Sequence, residues 1–338
     1  MLDESNFGTR DNKGYWKPFG KILAQPLYIV PFKPLNFIKW IFRWNGYLFP
    51  WKFIWILIAV ICWFYLTPEL NQIKHLKFDW IAFIFFRNCI IIFLYVGFFH
   101  WYWYLRKSQN TNFKYNAKFP ETNNSKFLFR DQIKDNLIWT FCSALPIWTA
   151  YEVLTLWAFA NEFIFWVNWD LYPIYLIFLL FLFPFIHDLH FYFGHRLLHW
   201  KPLYRMVHKV HHYNINPGPW SGIAMHPIEH IIYFSGIMIY WIIPSHPIIA
   251  ISHIFYAGLG PNNGHGGFDK MVFKNGKWIS TESYYHYLHH KYFECNYAGD
   301  TMNFLDKVFG TFHDGTDESY EKLKQKISYK KRKIKPSL

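Results

Sequence analysis

The sequence predicts an all-α protein: a polytopic membrane helical bundle with a histidine-rich helical cap on its cytosolic side. Three observations carry this. Four apolar stretches, at 51–67, 79–105, 137–160 and 171–186, approach or exceed the roughly 20 residues that cross a bilayer. The basic residues gather in the segments on one side of those stretches. The histidines concentrate after the fourth stretch rather than within the first three.

Residues 1–50 are polar, aromatic and punctuated by proline, with Lys17, Lys21, Lys33, Lys39 and Arg43 ahead of the first span, and read as a membrane-surface segment. The first span, WKFIWILIAVICWFYLT (51–67), is short, but its aromatic ends suit the headgroup layer. The second (79–105) carries Arg87 and Asn88 near its middle. A buried arginine in a span faces protein and pairs, and Glu152 in the third span is the favoured partner over a substrate head group. The polar stretch from Arg106 to Lys134 is a loop, and the third span (137–160) is kinked by Pro146. NEFIFWVNWD (161–170), with acids but no Lys or Arg, leads to the fourth span.

Transmembrane helices thus occupy 51–186, a histidine-rich region follows over 187–312, and 313–338 is a basic tail. Within the histidine-rich region, 229–260 has two short apolar pieces broken at PSHP and reads as a hairpin that enters the membrane and returns to the same side. The charge bias puts the N-terminal segment, the 106–134 loop and everything after His187 in the cytoplasm, with only Lys74 and Lys77 arguing the other way. Bacterial inner membrane and endoplasmic reticulum both fit.

A net charge of +13 on a 338-residue chain that is 52% apolar and 23% aromatic can suggest nucleic acid. Here the cations flank apolar spans, the mark of a membrane protein, so nucleic-acid binding is set aside. The mean hydropathy of −0.01 hides the spans because the tail is so polar. Cys62, Cys89, Cys142 and Cys295 lie far apart, which indicates neither a disulfide framework nor a zinc knuckle. The first twenty residues lack an apolar core and a small-residue cleavage site, so they read as no secretory signal.

The histidines carry the chemistry. HRLLH places His195 and His199 side by side on a helix face, with Asp188 seven and eleven residues earlier on that face. HKVHH supplies His208, His211 and His212, and HYLHH supplies His286, His289 and His290 at the same spacing. His226 and His230 stand in HPIEH and His265 in GHGG. Neutral imidazole suits iron, zinc, copper or nickel, and no cysteine set competes. Eight or more histidines exceed what one ion takes, so two ions are implied. A pair of redox-active ions on nitrogen at a membrane face suits oxygen activation against an unactivated C–H bond of a lipid.

In order and spacing, from about Asp188 to Phe312, the chain resembles the fatty acid hydroxylase and sterol desaturase superfamily of integral membrane di-iron enzymes. The matching residues are His195–His199, His208–His212 and His286–His290, with the flanks DLHFYFGHRLLH, LYRMVHKVHH, HPIE, NNGHGG and NYAGDTMNFLDKVFGTF. The resemblance implies two iron ions, with zinc able to substitute, on His195, His199, His208, His211, His212, His286, His289 and His290, completed by His226 and His265. His230 is less secure. Asp188 and Glu229 are expected to accept the outer N–H of liganding imidazoles. The resemblance also implies a lipid substrate such as a fatty acyl chain or sterol, hydroxylated or desaturated with O2. Electrons would come from an external carrier, a cytochrome b5 or ferredoxin with its reductase. The family often has serine after the late single histidine, whereas this chain has Gly266 and Gly267.

His75, His100, His246, His253 and His313 read as surface or core residues, and His187 and His190 lie off the Asp188 face. Two other classes are weighed. A metal transporter would bind near the bilayer midplane on broken helices. A haem protein would leave the HX2HH doublets unexplained.

Overall fold

The computed structural model describes residues 2–334, and these are largely helical. Two short hairpins, β1–β2 (Gly8–Arg10 with Trp16–Pro18) and β3–β4 (Lys270–Val272 with Trp278–Ser280), are antiparallel. The helices that position the site are α1 (Pro34–Phe42), α2 (Trp51–Tyr65), α3 (Phe78–His100), α4 (Gln132–Ala160) and α5 (Pro173–Leu198). After them come α6 (201–212), α7 (Pro227–Phe234), α8 (Pro247–Gly264), α9 (Tyr284–Tyr292), α10 (Asn303–Val308) and α11 (Asp317–Ile334).

Three helical stretches, Phe78–Leu105, Gln132–Ala160 and Pro173–Leu198, are long and apolar enough to cross a membrane, and α2 is a shorter apolar helix. The chain is an integral membrane helical bundle with a histidine-rich cap, as its sequence predicts. Asp131 starts α4 by accepting from the backbone N–H groups of Ile133 and Lys134 at 2.9 and 3.0 Å. A π-helical turn at Thr140–Ala144 comes just before Pro146. The wider turn makes room for a ring that would clash with the carbonyl four residues back, which is how the helix continues through proline. Arg87 pairs with Glu152, and Asn88 Nδ2 reaches the same carboxylate at 2.9 Å. Both ions of this pair are buried between α3 and α4, so each meets its charge inside protein rather than lipid.

At the end of the bundle where α7–α8 turns, Val167 N–H donates to Ser245 O at 2.9 Å and Ser245 N–H to Phe165 O at 3.2 Å. The rings of Trp63, Trp166 and Trp169 surround His246, whose Nδ1 caps α8 by accepting from Ile248 N–H at 3.1 Å. The arms on either side of this turn lead back to His226 and His265 at the opposite end. The α8 arm is buried along most of its length, and Gly258 lets Trp148 lie against its backbone where any β-carbon would collide. Residues 8–18 belong to the cap: Trp16 is buried against Phe113 and Tyr115, and its N–H donates to Tyr115 O at 2.9 Å. In the stretch 27–44, by contrast, Val30, Leu35, Phe42 and Trp44 are exposed.

Candidate metal centre

Helix α5 brings the first histidines out of the apolar layer. At about 1.5 Å per residue its 26 residues run about 39 Å, against a hydrocarbon core of about 30 Å, so its last turns emerge with His195 and leave His199 as the capping residue. Helices α6 and α9 carry the two HX2HH runs, and His265 closes α8. Nine of the ten sequence-predicted ligands converge. His195, His199, His208, His212 and His289 form one group and His211, His265, His286 and His290 a second, with the ligand atoms of each group within 4.8 Å of one another.

In the first group the converging atoms are all Nε2. The separations are 3.1 Å for His195–His208 and His199–His208, 3.2 Å for His199–His212 and His199–His289, 3.0 Å for His208–His212 and 3.1 Å for His212–His289. In the second, His290 Nε2 lies 3.2 Å from His211 Nε2 and 3.1 Å from His286 Nε2. An ion about 2.1 Å from each of two nitrogens at right angles sets those nitrogens about 3.0 Å apart, which is this spacing.

The outer nitrogens decide the tautomers. His195 Nδ1–H donates to Tyr297 O at 2.8 Å, His289 Nδ1–H to Cys295 O at 2.6 Å and His211 Nδ1–H to Ala224 O at 3.3 Å. A carbonyl can only accept, so each Nε2 keeps its lone pair for the centre. Ser221 Oγ donates to Gly218 O at 2.7 Å and so accepts from His265 Nδ1–H at 3.0 Å. The outer contact of His265 thus comes from Ser221, on another segment of the chain. Glu229 Oε1 accepts from His208 Nδ1–H at 2.7 Å, the outer contact expected of it. Burial drives His208 down to about 3 and His211 to about 4, and holds His286, His289 and His290 well below the usual imidazole range. Neutral imidazoles aiming lone pairs at a common point, where protonation is opposed, are a site for a cation.

Other expectations fare differently. His226 lies outside both groups and caps α7, its Nδ1 accepting from Ile228 N–H at 3.3 Å. His230 spends both nitrogens elsewhere, on Ser143 Oγ and Ile223 O, each at 2.9 Å. Asp188 is buried and accepts from Thr301 N–H at 3.0 Å, Thr301 Oγ at 2.5 Å and Tyr256 OH at 3.1 Å, so its hydrogen bonds go to these groups rather than to a clustered imidazole. Gly299 packs on that carboxylate, leaving no space for a β-carbon. Sequence reasoning missed the carbonyls of Cys295 and Tyr297, which return over the centre because Phe293 ends α9 at φ 66°. The NYAG run after the last cluster was the available signal.

A cavity with about 890 Å³ of empty space, open mouth included, borders both groups. His195, His208, His211, His265 and His286 face it from one side, and Trp51, Trp55, Phe191, Tyr233 and Tyr256 make much of its remaining wall.

Residues 178–311 match the family model described as fatty acid hydroxylase. Among curated relatives, methylsterol monooxygenase 1 of Gallus gallus is 29% identical over 43% of this chain and 50% of its own. Delta(7)-sterol-C5(6)-desaturase of Nicotiana tabacum is 29% identical over 53% and 65% respectively. Methylsterol monooxygenase 1 of Rattus norvegicus is 34% identical over 42% and 49%. The chain spans about half the length of the curated relatives it matches. No solved structure matches it. The three histidine runs lie inside the matched region, and over residues 178–311 the chain is similar to the fatty acid hydroxylase family, with sterol desaturases and methylsterol monooxygenases among its relatives.

Proposed function

We propose that this protein is a membrane-bound di-iron oxidase that hydroxylates or desaturates a lipid, with a sterol the favoured substrate class and electrons arriving from a separate carrier such as a cytochrome b5 or ferredoxin. The observation that carries the reading is the pair of all-histidine groups bordering a largely apolar cavity at the end of membrane helices. Relatives named for sterol oxidation and desaturation support the substrate class. A pair of iron ions held by these nitrogens would supply activation of O2 toward an unactivated C–H bond, with two electrons and two protons drawn from outside.

The chain's own residues do the rest. Tyr297 O, Cys295 O, Ala224 O, Ser221 and Glu229 fix the orientations of five rings, so five of the nine nitrogens are held in place before any ion arrives. Trp51, Trp55, Phe191 and Tyr256 present apolar surface to a lipid and exclude water from the bond to be oxidised. The positive flanks support a cytoplasmic side for this end, where reduced carriers are found. A transporter reading gains nothing from this geometry, since the groups sit at the end of the bundle and not at a midplane break.

The test is expression of the chain with its reductant in cells, followed by lipid mass spectrometry and metal analysis of the purified protein. Two irons per chain and a lipid one oxygen heavier or two hydrogens lighter are expected. A metal-free protein, or an unchanged lipid profile with reductant present, refutes the proposal.

A further inference from the structure

The cavity wall carries a second polar pair that the histidine groups leave unused. Lys52, in the first turn of α2, and Glu282, just ahead of α9, both line it. Lys52 Nζ stands 3.8 Å from Glu282 Oε2, beyond hydrogen-bonding reach, and 5.0 Å from the centre of the Tyr47 ring. Among the described residues neither side chain makes a hydrogen bond to another protein group.

The arrangement is locally unfavourable three times over. The Lys52 side chain is only 5% exposed, and an ammonium is costly to bury without a hydrogen bond to its counter-ion. A cation in the first turn of a helix opposes the helix dipole. Glu282 holds φ at 56°, a left-handed conformation that a non-glycine side chain resists. The separation is nonetheless well fixed. Trp51 Nε1–H donates to Ser280 O at 2.6 Å, and Ser280 N–H donates to Asn45 Oδ1 at 3.0 Å, so the start of α2 and the strand before Glu282 are tied on both sides of the pair.

A donor and an acceptor held just too far apart to satisfy each other, across a cavity, suit a third group that is both. We infer that Lys52 and Glu282 bind the hydroxyl head of an alcohol-type apolar lipid, Lys52 donating to its oxygen and Glu282 accepting its proton, while the body of the lipid lies along the apolar wall beside the histidines. A carboxylate head would satisfy Lys52 but confront Glu282. The other acids on the wall, Asp188, which already accepts three hydrogen bonds, and Glu229, which accepts from His208, offer nothing to relieve that conflict. The pair therefore selects alcohols over fatty acids. This rests on reading the cavity as the lipid site.

The test measures equilibrium binding of three radiolabelled probes to the full-length, iron-loaded protein in nanodiscs: a saturated sterol, its methyl ether and a free fatty acid of similar length. The sterol should bind at least about tenfold tighter than its ether, because the ether cannot donate to Glu282. Lys52→Met and Glu282→Gln should each bring that ratio below about threefold. If Lys52→Met does not fold, Glu282→Gln, which keeps the shape, carries the test. Equal binding of sterol and ether by the unaltered protein, preference for the acid, or an unchanged ratio in the folded variants overturns the inference. Binding is read without turnover. A protein that separates sterol from ether yet oxidises neither would keep this inference and remove the oxidase reading, and one that oxidises both alike would do the reverse.

Discussion

Removing His289 should empty one ion site and spare the other. His289 contributes Nε2 to the five-nitrogen group and takes no part in the four-nitrogen group, to which His211 belongs. Four-ligand zinc sites bind with about 10–16 kcal/mol, or about 3–4 kcal/mol per ligand, so one lost nitrogen weakens binding by about 10² to 10³. His289→Ala should therefore fall from two irons per chain toward one after dialysis against a moderate chelator, and His211→Ala should do the same at the other site. The double variant should hold none. His226→Ala, whose ring lies outside both groups, should keep both irons and lose only a helix cap, about 1 kcal/mol of stability. Iron is counted by elemental mass spectrometry on folded protein. If His226→Ala loses as much iron as His289→Ala, or if either single variant loses both ions with its fold intact, the two-group assignment is wrong.

Glu229→Gln should lower metal affinity or activity by about 10- to 100-fold without changing the ligands, because an amide is a poorer acceptor for His208 Nδ1–H; chelator competition measures it, and an unchanged affinity refutes the outer-contact role. Glu152→Leu should cost about 3–5 kcal/mol by leaving Arg87 buried and unpaired, and Arg87→Leu added to it should recover most of that loss in thermal unfolding; failure to recover assigns Arg87 another partner. Lys114 is buried with its Nζ 3.0 Å from Asn216 Oδ1, and burial pulls it down to about 7. Its folded value lies below its unfolded one, so between about pH 7 and pH 10 the unfolded chain binds more protons and stability from this group rises with pH. Lys114→Met should thus be more stable than the parent near neutral pH, by about 4 kcal/mol at most, and the advantage should shrink as pH rises toward 10. An advantage that grows with pH refutes this.

The helical class and the positions of the long spans were legible because apolar runs of this length have few other uses, and the Arg87–Glu152 pair followed from the cost of an unpaired ion there. The histidine runs were legible because an i, i+4 spacing survives any packing of the helix that carries it. What stayed hidden depends on backbone that comes back from elsewhere. The carbonyls of Cys295 and Tyr297 reach His289 and His195 only because Phe293 reverses the chain, and residue type says nothing about a carbonyl. Asp188 was placed by helical phase on the His195 face, yet Thr301, 113 residues away, takes one of its oxygens and Tyr256 the other. His226 has the right residue type and neighbours, and only the course of α7 shows it serving as a cap. The same holds for Lys52 and Glu282, whose meeting requires both tethers of Ser280.

The division of nine ligands into five and four follows from how an HX2HH run sits on a helix. Its first and last histidines are four apart and share a face, while the middle one is turned to the side. In α6, His208 and His212 point to the first group and His211 to the second; in α9 the sense is reversed, with His286 and His290 in the second group and His289 in the first. Each helix therefore straddles both sites, and the two contribute three nitrogens to each. HX3H adds His195 and His199 to one side, and the single His265 at the end of α8 adds to the other, which is why the groups are unequal. Because each straddling helix is shared, a rigid rotation of α6 or α9 would open both sites together. The outer contacts of His208, His211 and His289 to Glu229, Ala224 and Cys295 are what prevent that rotation.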